Sequence, residues 1–339
     1  MNDNFCVLPF FGAEYKESGF DSPCCLMAPS TRSIEEIRKD FVENRRPAEC
    51  NKCWSMEDLG LESDRQIKNR TYDFYADRDL RYVKEDCSKG LYSQQIIKLY
   101  TSMLCNSTCA TCSSSHSTAW SALEDKTIEL KKIPTQTLDQ IDFAHIKMLS
   151  FVGGEPLYEK FNFDILERLI DVGNVNCFIS LVTNGSTQLT KNQIDTLSKF
   201  KNLNFCLSID GVGPVFEYLR YPLKWSTLLD NIRLYKSLGI KLSVSYTISN
   251  LNVLYYKETV KWFADNNLKF NHIVVYSPEY FHPSVLPDAI KQDTNLSEFF
   301  NRPANQKLLD QFVAEVHRQD HLKGININDY LYKLSRVFN

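Results

Sequence analysis

From about residue 95 to 278, short apolar runs rich in β-branched residues alternate with stretches whose apolar residues recur at helical spacing. The runs are "QIIKLYTSML", "IKMLSFVGG", "CFISLVTNG", "LNFCLSIDG", "KLSVSYTIS" and "HIVVYSP". Between them lie "LYEKFNFDILERLIDVG", "TKNQIDTLSKF", "WSTLLDNIRLYKSLG" and "YYKETVKWFADNN". The alternation predicts six βα units of the α/β class. Strands separated by helices pair in parallel through right-handed crossovers, and ligands of such sheets bind beyond the carboxyl ends of the strands. Several of those ends carry unusual residues: Cys105, Gly153-Gly154, Asn184-Gly185, Asp210-Gly211 and Asn250 to Asn252. They are expected to converge on one mouth.

The flanks read differently. Residues 1–90 are punctuated by Pro and Gly, with a helix expected over "SIEEIRKDFVEN" and a charged helical stretch from Met56 to Asp86. Two prolines in "HPSVLPDAIKQ" break the βα pattern, and "NQKLLDQFVAEVHRQ" then predicts an amphipathic helix. Three parts follow: a small amino-terminal unit over 1–90, the βα array over 91–285, and a helical extension over 286–339.

Composition narrows the function classes. The 339 residues are 43% hydrophobic and 12% aromatic, enough for a sizeable core. With 39 basic and 42 acidic residues the formal net charge is −3, so no overall field draws the chain to nucleic acid or an anionic membrane. The opening "MNDNFCVLPFFGAEYK" lacks a signal-peptide pattern, and no window has the eighteen or so apolar residues of a spanning helix. A cytoplasmic location is expected. There, eleven cysteines do not suggest a disulfide framework; clustered ones point to metal and isolated ones to packing.

Three cysteines fall within eight residues of "LCNSTCATC": Cys105, Cys109 and Cys112, spaced C-x3-C-x2-C at the end of the first strand of the array. A structural zinc site is closed by four ligands, whereas three thiolates can hold three corners of a 4Fe-4S cube and leave the fourth iron open. This spacing resembles the signature of the radical S-adenosylmethionine (radical SAM) enzymes. The resemblance extends over the array: "GGEP" (Gly153 to Pro156) ends the second strand, "TNG" the third and "SIDG" the fourth. It implies a partial (β/α)6, TIM-like barrel in which S-adenosylmethionine chelates the open iron and is cleaved reductively to methionine and a 5'-deoxyadenosyl radical that abstracts hydrogen from a substrate. Cys105, Cys109 and Cys112 would be the catalytic metal ligands. Gly153, Gly154 and Pro156 would bring backbone to the methionyl end, Glu155 would offset its ammonium, and Asn184, Ser208, Asp210 and Asn252 would supply hydrogen bonds. Arg220 would pair with the cofactor carboxylate. One departure is Thr111, where the family usually has an aromatic or bulky apolar residue near the adenine.

The amino-terminal cysteines Cys6, Cys24, Cys50 and Cys53 resemble half of a twitch or SPASM extension, which holds an auxiliary 4Fe-4S cluster; here it would precede the barrel. Cys-x2-Cys with two distant cysteines is equally a zinc pattern, and Cys25 competes with Cys24 as ligand. Cys87 and Cys177 are expected to be packing residues. Cys206 shares strand parity with Ser208 and Asp210, so it should face inward. The six histidines suggest no role. The expectation is therefore a radical SAM enzyme with two clusters, served by a flavodoxin or ferredoxin donor and acting on a peptide or protein. The alternatives are a sugar, nucleoside or small-metabolite substrate, or a non-catalytic zinc-binding scaffold. The balanced charge argues against nucleic acid.

Overall fold

The computed structural model describes residues 3–58, 60, 62–76, 79–127, 129–130, 132–291, 296–300, 302–303 and 305–338. Of the stretch expected to be helical from Met56 to Asp86, positions 59, 61, 77 and 78 lie outside the described residues; helices run over Asp64–Ala76 and Leu80–Ser88.

Eight strands form one sheet: β1 (Gly12–Lys16), β2 (Gly19–Ser22), β3 (Ile96–Tyr100), β4 (Met148–Val152), β5 (Phe178–Thr183), β6 (Asn202–Ser208), β7 (Lys241–Ile248) and β8 (Lys269–Val274). Their order is β2-β1-β3-β4-β5-β6-β7-β8, and every pairing is parallel except β1 with β2. The six expected strands are β3 to β8. The other two come from the amino-terminal segment, so the sheet crosses the boundary expected at residue 90. Glu14 on β1 stands opposite Lys98 on β3, and the two side chains form an ion pair of 2.7 Å.

Alternation along the strands gives the sheet two unlike faces. On one, Ile97, Leu99, Leu149, Phe151, Ile179, Leu181, Phe205 and Leu207 are fully buried and join a core with Leu166, Leu197 and Phe263 of the covering helices. The other, inner face is half-buried and polar through its middle. The registers set Glu14, Lys98, Ser150, Ser180 and Asn204 side by side across five strands, and Asn204 Nδ2 donates to Ser243 Oγ at 3.0 Å.

At the amino ends of the strands the inner face turns apolar. Ile96 and Met148 are buried, with Phe178 packed beside them, in a second core built from Phe5, Phe10, Phe11, Phe41, Trp54 and Tyr72. The amino-terminal segment thus floors the barrel. The helix Ile34–Val42 in this segment begins with a capping box: Ser33 Oγ accepts from the Glu36 N–H, and the Glu36 carboxylate accepts from the Ser33 N–H. At the other end of the chain, the helix Gln306–Lys323 stops at Gly324, whose φ of 65° is the left-handed conformation that glycine adopts without strain.

Candidate active site

The three-cysteine loop leaves β3 and is held by hydrogen bonds from two sides. The Cys105 N–H donates to Thr118 Oγ1 at 3.0 Å, and that hydroxyl donates to the Cys105 carbonyl at 3.1 Å. Ser107 Oγ lies 3.4 Å from Cys105 Sγ and 3.3 Å from Cys109 Sγ, so a hydroxyl sits between two of the thiols. Trp120 Nε1 donates to the Cys109 carbonyl at 2.9 Å. From the far side, the Thr108 N–H donates to the Tyr221 carbonyl and the Ala110 N–H to the Leu219 carbonyl, at 2.7 and 2.8 Å.

The Gly-Gly turn after β4 is required by this loop. The Gly154 N–H donates to the Ser102 carbonyl at 2.9 Å and the Glu155 N–H to the Leu104 carbonyl at 2.8 Å. Gly153 has φ of +123°, and a Cβ there would lie 2.5 Å from the Ser102 oxygen; on Gly154 it would lie 2.2 Å from the Leu104 oxygen. Two backbones meet too closely for any side chain.

Cys105, Cys109, Cys112, Gly153, Gly154, Asn184, Ser208 and Arg220 all line one cavity of about 260 Å³, together with Ser107, Thr111, His116, Ser117, Val182 and Thr247. The cavity lies at the carboxyl ends of the strands. Burial raises the Cys105 thiol, and burial followed by its neighbours Cys109 and Cys105 pushes Cys112 up to about 12. Binding a metal cluster here must therefore release thiol protons. Among the described residues no three His, Cys, Asp or Glu side chains converge closely enough to hold one metal ion. Ligands of a cube bind separate irons, which sets their sulfurs further apart.

Four of the expected cofactor residues stand behind this lining. Both Glu155 oxygens are taken: Oε1 accepts from Thr183 Oγ1 at 2.6 Å and the Leu157 N–H at 3.0 Å, and Oε2 from the Asn184 N–H at 2.7 Å. Its carboxylate, raised by full burial, braces the end of β5. The Pro156 carbonyl accepts from Asn162 Nδ2 at 2.8 Å. Asp210 accepts from the Thr247 N–H at 2.9 Å and pairs with Arg220 Nη2 at 2.6 Å. Asn252 Nδ2 donates to the Asp210 and Thr247 carbonyls at 2.8 and 2.7 Å, and Oδ1 accepts from the Ser249 N–H at 2.7 Å, joining the ends of β6 and β7.

Asp210 thus delivers Arg220 to the cavity. Burial works against the guanidinium charge, but Asp210 and Cys109 outweigh it and raise the pKa further. Nη1 reaches Cys109 Sγ at 3.6 Å, and Nε is buried with no partner. Asn184 is held by Asn106 of the cysteine loop at 2.8 Å and by Ser186. A half-buried cation with an unused donor, beside three thiols and a backbone cradle, fits an anionic cluster and the carboxylate of an amino-acid-like cofactor.

Sequence reading missed the contribution of the carboxyl-terminal helix. Gln319 Nε2 donates to the Ala110 carbonyl of the cysteine loop at 2.9 Å, and Lys323 Nζ donates to Gln319 Oε1 at 2.9 Å. The signal available was the amphipathic pattern alone, which shows that a helix packs but not against what.

In the amino-terminal segment Cys6, Cys24, Cys50 and Cys53 line one small cavity with Leu8, Phe41 and Arg65. Burial raises the Cys6 and Cys53 thiols and pushes Cys50 up to about 12. Cys25 lies outside this lining: its Sγ accepts from Lys98 Nζ at 3.1 Å, and a hydrogen bond with Cys24 together with the Lys98 charge lowers it to about 6 against the opposing effect of burial. Cys87 and Cys177 are buried, and Cys206 is half-buried on the inner face.

A parallel α/β sheet carrying a cysteine triad beyond its strand ends defines a class of metal-dependent α/β enzymes. Residues 99–266 match the Radical SAM superfamily, and the chain belongs to that superfamily. Membership implies a 4Fe-4S cluster and S-adenosylmethionine. No curated protein matches the chain. Among solved structures it is similar to native anSMEcpe with bound AdoMet, at 18% identity and TM-score 0.43 over 68% of this chain and 62% of that one. It is also similar to Streptococcus suis SuiB bound to S-adenosylmethionine, at 13% identity and TM-score 0.45 over 92% and 69%. Methylornithine synthase (PylB) matches at 12% identity and TM-score 0.40 over 89% and 83%. The chain spans about three fifths of the length of anSMEcpe. Among the described residues no helix is long and apolar enough to cross a membrane.

Proposed function

We propose that this radical SAM enzyme modifies a peptide or protein substrate by hydrogen abstraction, and that it carries a second, auxiliary 4Fe-4S cluster on Cys6, Cys24, Cys50 and Cys53. When bound, the barrel cluster and S-adenosylmethionine supply reductive cleavage that yields a carbon-centred radical. This chain's residues do the rest. Cys105, Cys109 and Cys112 hold the cluster, Arg220 and the Gly153-Gly154 backbone orient the cofactor, and the floor of Ile96, Met148 and Phe178 keeps water from entering beneath.

The observation that carries the reading is the convergence of the three cysteines, both glycines and Arg220 on one cavity. The peptide preference rests on the inner face. Ser150, Ser180, Asn204 and Ser243 offer neutral hydroxyl and amide groups, Lys98 is already neutralised by Glu14, and the sheet ends at β8, leaving that side open to an extended chain. Such a wall suits backbone amides better than phosphates. The auxiliary cluster is supported by four cysteines around one cavity, with Cys24 rather than Cys25 among them. A flavodoxin or ferredoxin would supply the electron, and the absence of a spanning segment from the described helices agrees with a cytoplasmic setting.

The test is anaerobic reduction of the protein with S-adenosylmethionine, followed by mass spectrometry for 5'-deoxyadenosine. Replacing Cys105, Cys109 and Cys112 together by Ala should abolish that product and leave about half of the iron. Cys50→Ala with Cys53→Ala should lose the other half and keep cofactor cleavage. A colourless protein holding zinc would instead identify a binding scaffold.

A further inference from the structure

Lys323, the last residue of the helix Gln306–Lys323, is 6% exposed, and its hydrogen-bond partner is the neutral amide of Gln319. Among the described residues it makes no ion pair. The nearby carboxylates are committed elsewhere: Asp320 Oδ1 accepts from Tyr218 OH at 2.8 Å and Oδ2 from the Ile327 N–H at 2.7 Å, while Glu315 accepts from Arg318 and Gln319. Arg318 in turn pairs with Glu124 at 2.9 Å. Burial lowers the Lys323 pKa to about 8, opposed first by the charge at Cys109 and then by those of Asp320 and Glu315.

The position of the ammonium explains the arrangement. Nζ lies 4.8 Å from the centroid of the Trp120 ring, whose Nε1 donates to the Cys109 carbonyl, and Gln319 bridges Lys323 to the Ala110 carbonyl. The loop that this group supports presents three thiols to the cavity. A cube on three thiolates carries net negative charge, which would add to that of Asp320 and Glu315 around this ammonium.

We propose that Lys323 is a fixed positive charge that complements the anionic cluster on Cys105, Cys109 and Cys112 and raises its reduction potential. Reduction adds a negative charge to the cluster, and a desolvated cation stabilises the reduced form more than the oxidised one. Lys323 is thus a positioning and tuning residue that acts through the loop, and the inference rests on the reading that these thiolates hold the cluster.

The experiment is a redox titration of the anaerobic full-length protein, following the electron paramagnetic resonance signal that changes when S-adenosylmethionine is added, with iron content measured in parallel. Lys323→Met should shift the one-electron reduction equilibrium at least tenfold against the reduced form, a midpoint about 59 mV more negative, while iron per chain is unchanged. Lys323→Arg, which keeps the charge, should stay near the wild-type midpoint. Lys323→Gln, which keeps a donor for Gln319 Oε1 and removes the charge, should shift the midpoint in the same direction as Lys323→Met and reports the effect even if the Met variant does not fold. An unmoved midpoint in Lys323→Gln, or equal shifts in the Met and Arg variants, overturns the inference. A wild-type protein lacking the cofactor-sensitive signal overturns the cluster reading and this inference with it.

Discussion

Glu155 shows how a single buried carboxylate can be structural inside an active site. Its partners, the Thr183 hydroxyl and the N–H groups of Leu157 and Asn184, all donate to it. Replacement by Gln keeps the shape but directs an amide NH2 at one of these donors, leaving buried groups unmatched. Glu155→Gln is expected to cost about 1–3 kcal/mol of stability in chemical denaturation. A role confined to a ligand ammonium would leave the stability of the ligand-free protein unchanged. The sequence reading assigned Asp210 to the cofactor on the ground that a carboxylate ending a core strand needs a partner. The need was real, and in the structure Arg220, ten positions along the chain, meets it, a pairing that strand and helix periodicity does not reveal.

Strands were the most legible elements, and for a physical reason. In β5 and β6 the burial pattern alternates without a break, so the period of two is written in the residues themselves. The same was true of the strand-end motifs, since Gly153 and Gly154 stand out against any apolar background. By contrast, "GAEYK" has no long β-branched run, and its place in the sheet depends on pairing with β3, a non-local contact that local pattern does not reveal. The packing of the helix Gln306–Lys323 on the cysteine loop was hidden for the same reason. Because the β4 turn and that loop share backbone hydrogen bonds, Gly154→Ala should force them apart. The variant is expected to lose about 1–3 kcal/mol of stability and to bind less iron in the barrel, with the iron of the amino-terminal site retained; full iron in both sites would show that the loop tolerates the displacement.

At the scale of the whole molecule, the two cysteine sets line separate cavities: the triad at the carboxyl ends of the strands, and the amino-terminal four in the segment that packs against their amino ends. That segment cannot be a removable appendage, because β1 covers the edge of β3 and its aromatic residues cover Ile96 and Met148. A chain beginning at residue 91 is expected to aggregate, since it would expose both an unpaired strand edge and an apolar floor; recovery of a monodisperse truncated protein in size-exclusion chromatography would contradict this. The Glu14–Lys98 pair spans 84 residues. At roughly 5–20 residues per second of synthesis, β1 waits for several seconds on the ribosome before the strand it pairs with has been made. During that interval the cysteines at 6, 24, 50 and 53 have already been translated, while those of the triad have not. On the proposed two-cluster reading, the nascent chain therefore carries all four ligands of the amino-terminal site before the first cysteine of the triad has been made.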